Sequence, residues 1–104
     1  MAWMVACAVG DIEDREDVIR FDSGDRTFAI YRSADDEYFA TDGYCTHEHA
    51  HLSDGLVLGD IIECPKHNGR FNFKTGEAKA APVCVNLNIY PVMISDGKVM
   101  IDVR

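Results

Sequence analysis

All four histidines and two of the four cysteines of this chain lie in two short stretches. The stretch "YCTHEHAHLSDG" contains Cys45 and His47, and "IECPKHNGRF" contains Cys64 and His67. The spacing is C-x-H, then sixteen residues, then C-x2-H. Two thiolates and two imidazoles suit either a tetrahedral zinc ion or an iron–sulfur centre. Structural zinc sites more often use C-x2-4-C pairs, so the mixed pairs favour iron–sulfur, with a zinc-binding interaction module as the alternative.

The segments on either side of these residues are typical of short strands. Runs such as "RTFAIYRS" and "KVMIDV" are rich in β-branched and aromatic residues, and turn residues separate them. Ser23-Gly24-Asp25 and Asp96-Gly97 predict hairpin turns. Only "IEDRED" could form a helical turn. The pattern predicts an all-β fold, either a sandwich or a small barrel.

The length of 104 residues predicts one domain, 1–104. From residue 43 to residue 82, glycine, histidine and cysteine become frequent, and strand-like runs shrink to "LVL", "DIIEC" and "RFNF". A stretch of this kind is uncommon in a compact domain unless it is functional, and bound metal could order it. We therefore predict a small inserted subdomain at 43–82 that binds the metal centre, set into a β scaffold formed by 1–42 and 83–104.

The net charge of −8 arises from ten basic and eighteen acidic residues. Nucleic-acid binding calls for a basic surface, and anionic membrane surfaces also attract cations, so neither partner is expected. The N-terminal residues do not resemble a secretory signal, and no stretch approaches the roughly 20 apolar residues of a spanning helix. We expect a cytoplasmic protein, in which Cys7 and Cys84 are buried small apolar residues and not a disulfide.

The ligand pattern and its flanks resemble the Rieske-type [2Fe–2S] ferredoxins of bacterial aromatic-ring-hydroxylating oxygenase systems. The resemblance includes Gly43, Pro65 and Gly69 around the ligands and the runs "TFAIYRS", "YFATDGYCTH", "LSDG" and "ECPKHNGRFNFKTGEA". It covers essentially the whole chain. It implies a Rieske-type antiparallel β-sandwich or barrel scaffold with a small inserted cluster-binding subdomain, which carries one [2Fe–2S] cluster.

The resemblance also implies a role for each ligand. Cys45 and Cys64 would bind the inner iron, and His47 and His67 would bind the outer iron with their ring edges near solvent. A third loop, residues 80–83, would shield the inner iron, with Pro82 as its proline.

The two remaining histidines, His49 and His51, share a loop with His47. Alternation in an extended loop could bring the three rings to one side as a triple-histidine site. The more common position for such residues is a solvent-exposed loop, and we expect both His49 and His51 to be exposed.

The residues next to the ligands bear on the reduction potential. High-potential Rieske proteins of respiratory chains have an extra cysteine in each loop, where this chain has Ala50 and Lys66. They also have a serine and a tyrosine that hydrogen-bond the cluster, where this chain has Gly69 and Phe71. Lost hydrogen bonds lower the potential. The resemblance therefore implies a value near the low end of the Rieske range, about −150 mV rather than about +300 mV.

The implied function is that of a one-electron carrier and not of an enzyme. Once the cluster takes its ligands, only two histidines in one loop remain, so no 2-His-1-carboxylate iron site can form. The implied partners are a flavin-containing ferredoxin reductase supplied by NAD(P)H and a terminal Rieske non-haem iron oxygenase, with the carrier itself a monomer. A Rieske-like small subunit of a larger reductase, of the nitrite reductase type, is the alternative within the family.

Overall fold

The computed structural model describes residues 2–47, 49–66, 68–80 and 85–103. In these ranges the regular structure consists of strands and two 3-10 helices, Val9–Asp11 and Leu52–Asp54. The strands are β1 (Trp3–Ala8), β2 (Asp17–Ser23), β3 (Arg26–Arg32), β4 (Tyr38–Asp42), β5 (Leu56–Leu58), β6 (Ile61–Glu63), β7 (Arg70–Asn72), β8 (Ala78–Ala80), β9 (Ile89–Tyr90), β10 (Val92–Ser95) and β11 (Lys98–Asp102). The predicted all-β class is confirmed. Neither helix of this described part could cross a membrane.

The strands form three antiparallel sheets, in the orders β1-β11-β10, β2-β3-β4-β9 and β5-β6-β7-β8. Both predicted hairpin turns are present. Asp96 and Gly97 have φ of 54° and 74°, which is the left-handed conformation that a tight two-residue hairpin requires. The run "NLNIYPVMIS" divides into β9 and β10 at Pro91, since proline has no N–H to donate to a sheet. The 3-10 helix Val9–Asp11 lies just before "IEDRED", which itself has no helical turn.

The sheet of β2, β3, β4 and β9 lies between the other two. Phe28 and Ile30 of β3 belong to a core shared with the sheet of β1, β10 and β11. Ala29 and Tyr31 of the same strand point to the other face and pack in a second core with the sheet of β5–β8. All four are at most 1% exposed. The apolar run "FAIY" therefore reflects a strand that is buried on both faces.

The second core joins the sheet of β5–β8 to the middle sheet, and it contains an aromatic stack. Tyr31 and Phe73 stack with ring centroids 4.6 Å apart and planes 5° apart, and both are fully buried. The hydroxyl of Tyr31 is hydrogen-bonded to Thr41 at 2.8 Å. The sheet of β5–β8, residues 56–80, falls within the predicted insert, while the boundaries of that insert at 43 and 82 stay a prediction.

Candidate metal centre

Two loops of the same form contain the predicted ligands. The N–H of Cys45 donates to the carbonyl of Ala50 at 2.9 Å, and the N–H of Cys64 donates to the carbonyl of Gly69 at 2.7 Å. Each hydrogen bond closes a loop that begins at a cysteine and ends five residues later. The first ligand loop, 45–50, follows β4, and the second ligand loop, 64–69, joins β6 to β7. The two C-x-H and C-x2-H motifs thus start equivalent tight turns.

The two cysteines are inside the molecule and His47 is at its surface. Cys45 is 7% exposed and Cys64 is 1% exposed, and both belong to the apolar core that includes Leu52 and Phe71. His47 is exposed. This is the arrangement expected of an inner pair of cysteines and an outer histidine.

The fourth predicted ligand, His67, lies outside the described residues. Among the residues that are described, no three histidine, cysteine, aspartate or glutamate side chains form a metal-binding group by themselves. The ligand set Cys45, His47, Cys64 and His67 therefore stays a prediction.

Gly43 allows the backbone at the start of the first ligand loop to approach the β2–β3 hairpin closely. Its N–H donates to the carbonyl of Thr27 at 3.0 Å, and its carbonyl accepts from Leu52 N–H at 2.7 Å. A Cβ atom at this position would lie 2.5 Å from Nε2 of His51 and 2.9 Å from Cγ2 of Thr27. The backbone approaches these side chains so closely that only glycine fits.

The second ligand loop is shaped by its own residues. Asn68 has a φ of 54°, the left-handed conformation that asparagine adopts more readily than most residues. At the base of the loop, Arg70 and Glu63 are cross-strand neighbours and form an ion pair at 2.8 Å. Arg70 therefore has a local carboxylate partner, and both Arg70 and Lys66 are exposed.

His51 is buried, and the expectation that it would be exposed is wrong. It is 4% exposed. Its Nδ1 accepts from the N–H of Ser53 at 3.1 Å, and its Nε2 lies 2.8 Å from Oγ1 of Thr27. Burial lowers the pKa of His51, and the charge of Arg20 lowers it further. Because both ring nitrogens are engaged inside the protein, His47, His49 and His51 do not form a triple-histidine site.

Sequence reasoning missed this role because Thr27 and His51 are 24 residues apart in the chain. A local signal was present: His51 directly precedes the 3-10 helix Leu52–Asp54 and caps its first turn through Ser53. Capping by histidine is less common than by serine or aspartate, so the residue type alone does not indicate it.

His49 is exposed, as expected, and its ring stacks on Tyr44 with centroids 4.0 Å apart. We predict that His49→Ala leaves the absorption spectrum and the iron content of the purified protein unchanged, because a stacked surface ring is not needed as a ligand. Iron analysis and visible absorption would check this. A bleached His49→Ala protein would show that the ligand assignment is wrong.

Cys7 is buried, as predicted, and burial together with the charge of Asp11 raises the pKa of its thiol to about 11. It therefore behaves as a small apolar core residue.

Cys84 and Pro82 lie outside the described residues, so the expectations for them stay predictions. Just beyond that gap, the carbonyl of Val85 accepts from the hydroxyl of Thr46 at 2.7 Å. The chain at Val85 thus lies against the first ligand loop.

The donor chemistry of these loops fits an iron–sulfur cluster. Two sulfurs in an apolar interior, with an imidazole at the surface, match the soft and borderline ligands that such clusters take. The apolar neighbours of the sulfurs, among them Leu52 and Phe71, keep water from this side of the loops. The residues present therefore agree with the group that the resemblance implies.

Comparison with known proteins also indicates an iron–sulfur protein. The model of the Rieske [2Fe-2S] domain matches residues 2–91. The ferredoxin component of the naphthalene 1,2-dioxygenase system of Pseudomonas putida is 44% identical over 100 residues, which cover 96% of this chain and 94% of that protein.

Two solved structures are also close. A ferredoxin of Sphingomonas yanoikuyae B1 has a TM-score of 0.89 and 41% identity, covering 97% of this chain and 98% of its own. A chain in the complex of reduced oxygenase and oxidised ferredoxin of carbazole 1,9a-dioxygenase has a TM-score of 0.88 and 37% identity, covering 95% and 91%. The chain belongs to the family of the Rieske [2Fe-2S] domain.

Proposed function

We propose that this protein is the ferredoxin component of a multicomponent aromatic-ring oxygenase system, and that it carries one electron at a time. The observation that carries the proposal is the match, over nearly the full length of both chains, to a protein named as a ferredoxin component of such a system. Other relatives that match nearly the whole chain are likewise named as ferredoxin components or subunits of dioxygenase systems. The protein is thus an electron-transfer component and not a catalytic enzyme.

In this proposal Cys45, His47, Cys64 and His67 hold the [2Fe–2S] cluster. When bound, the cluster supplies a site that accepts and donates a single electron. The protein contributes the environment. The buried cysteines place their sulfurs in the apolar core, whereas the exposed His47 brings one edge of the ligand set to the surface. A partner that docks on this edge comes closest to the iron.

The proposed partners are a terminal Rieske non-haem iron oxygenase and a flavin-containing ferredoxin reductase supplied by NAD(P)H. A related ferredoxin is known in complex with its oxygenase. If both partners use the edge at His47, they must bind in turn, as small transient interfaces allow. The net charge of −8 favours a basic patch on at least one partner. In this proposal the protein is a monomer in the cytoplasm that alternates between the reductase and the oxygenase.

Electron transfer to isolated partners tests the proposal. The purified protein should be red-brown, should give an EPR signal after reduction with dithionite, and should elute as a monomer. Added to a flavin reductase and an oxygenase, it should support NAD(P)H-dependent ring oxidation, at rates that fall as salt screens the acidic surface. A colourless protein that holds one zinc ion would support the zinc-binding module. Obligate co-purification with a large reductase would support the small-subunit alternative.

The midpoint potential of the cluster is expected below 0 mV and close to the low end of the Rieske range, about −150 mV. The fully buried Phe71 has no hydroxyl to donate, and Gly69 has no side chain. Ala50 and Lys66 also exclude the disulfide of the high-potential proteins. A redox titration followed by EPR would measure the potential. A value well above 0 mV would contradict the prediction.

A further inference from the structure

We propose that His51 is a positioning residue for the first ligand loop, which it holds against the β2–β3 hairpin through a hydrogen bond to Thr27. The inference rests on the proposed role of Cys45 as a cluster ligand. The test below separates a failure of this inference from a failure of the proposed function.

The direction of each hydrogen bond follows from the groups involved. The backbone N–H of Ser53 can only donate, so Nδ1 of His51 is the acceptor in their 3.1 Å contact. The proton of the neutral ring therefore lies on Nε2, which donates to Oγ1 of Thr27 at 2.8 Å. The hydroxyl of Thr27 in turn donates to the carboxylate of Asp22, which can only accept. The Nε–H of Arg20 donates to the same carboxylate at 3.0 Å.

Burial favours the neutral form of His51, and this chain of hydrogen bonds fixes its tautomer. Hydrogen bonds from Thr27 and from Arg20 lower the pKa of Asp22, so the final acceptor stays ionised. Burial lowers the pKa of His51 itself. The donors thus follow one direction, from the ligand loop to the hairpin, and the hydroxyl of Thr27 both accepts from His51 and donates to Asp22.

The ring of His51 lies at the base of the first ligand loop. His51 and Tyr44 form a β-bridge, and their rings meet edge to face with centroids 5.3 Å apart. Cys45 follows Tyr44, and its N–H donates to Ala50, the residue before His51. The side-chain bond to Thr27 therefore fixes the strand pair that opens directly into the loop.

Thr27 holds this base by two separate contacts. Its carbonyl accepts from Gly43 N–H at 3.0 Å, and its hydroxyl accepts from His51. Loss of the hydroxyl would leave the buried Nε2–H of His51 without an acceptor, which is costly in the interior. The base of the loop would then open more often, and Cys45 would leave the iron more readily.

Thr27→Val is the main variant, because it removes the hydroxyl and nearly preserves the shape of the side chain. Thr27→Ser keeps the hydroxyl and is its matched control. His51→Asn keeps an acceptor for Ser53 N–H but is too short to reach Thr27. Two measurements on the iron-loaded proteins are needed: the rate at which a chelator removes iron, and hydrogen–deuterium exchange of peptides that cover 43–52 and 64–69.

Thr27→Val and His51→Asn should each speed iron loss about five- to tenfold, and the double variant should lose iron no faster than either. Hydrogen–deuterium exchange should rise in the peptide that covers 43–52 and not in the one that covers 64–69. The EPR signal of Thr27→Val and of His51→Asn should broaden. Thr27→Ser should behave like the unmodified protein in every measurement.

Other results would overturn the inference. These are Thr27→Val with unchanged iron loss and exchange, fully additive effects in the double variant, or Thr27→Ser as defective as Thr27→Val. If the unmodified protein holds no iron–sulfur cluster, the proposed function fails. Hydrogen exchange of 43–52 in the same set of variants then still decides the role of His51.

Discussion

Cys64→Ser is expected to abolish binding of the [2Fe–2S] cluster and to destabilise the sheet of β5–β8. Cys64 is 1% exposed and starts the loop between β6 and β7. The thiolate is the form that binds metal, and a serine hydroxyl does not ionise near neutral pH. Because metal binding contributes to the folding of small metal-binding units, its loss should also lower stability. Iron analysis, visible absorption and denaturant unfolding would measure both effects.

Cys7→Ser is the matched control for this experiment. Cys7 is also buried, but it lies on β1 in the other core, away from the ligand loops. We expect this variant to lose some stability and to keep its full iron content. A Cys64→Ser protein with full iron content would contradict the ligand assignment. So would a Cys7→Ser protein that folds without the cluster.

Phe73→Ala is expected to lower the free energy of unfolding by about 3–5 kcal/mol. Phe73 is fully buried, stacks on Tyr31 at 4.6 Å and lies 5.7 Å from the ring of Phe39. Its removal would leave a cavity in the core between the middle sheet and the sheet of β5–β8. Denaturant unfolding of the iron-loaded protein, at a matched metal content, would measure the change.

Phe39→Ala provides the comparison, since Phe39 packs on the same core but is only half-buried. Its truncation should cost clearly less than that of Phe73. Equal losses for the two variants, or a loss below about 1 kcal/mol for Phe73→Ala, would show that the stack with Tyr31 does not join the two sheets.

The strands and turns of this chain could be predicted because their signals are local. Asp96-Gly97 marks a hairpin by residue type, and "RTFAIYRS" has the β-branched and aromatic residues of a strand. β8 was not predicted, because "AKA" has neither kind of residue, and β7 supplies the partner that makes it a strand. The division into three sheets was also not predicted. It depends on which strands pair, and pairing joins residues far apart in the chain.

The candidate ligands follow from the residues alone, since C-x-H and C-x2-H present two sulfurs and two nitrogens. These donors suit either zinc or an iron–sulfur centre, and the resemblance of the flanking residues to Rieske-type ferredoxins indicates the [2Fe–2S] cluster. Tertiary contacts were needed to separate the histidines. The C-x-H spacing marks His47 as a candidate ligand, whereas His49 and His51 look equivalent in the sequence. In the folded protein His47 is exposed, His49 stacks on Tyr44, and His51 turns inward to Thr27. The physical reason is that ligand chemistry depends on residue type and spacing, whereas burial and hydrogen bonding depend on a hairpin that lies 24 residues away.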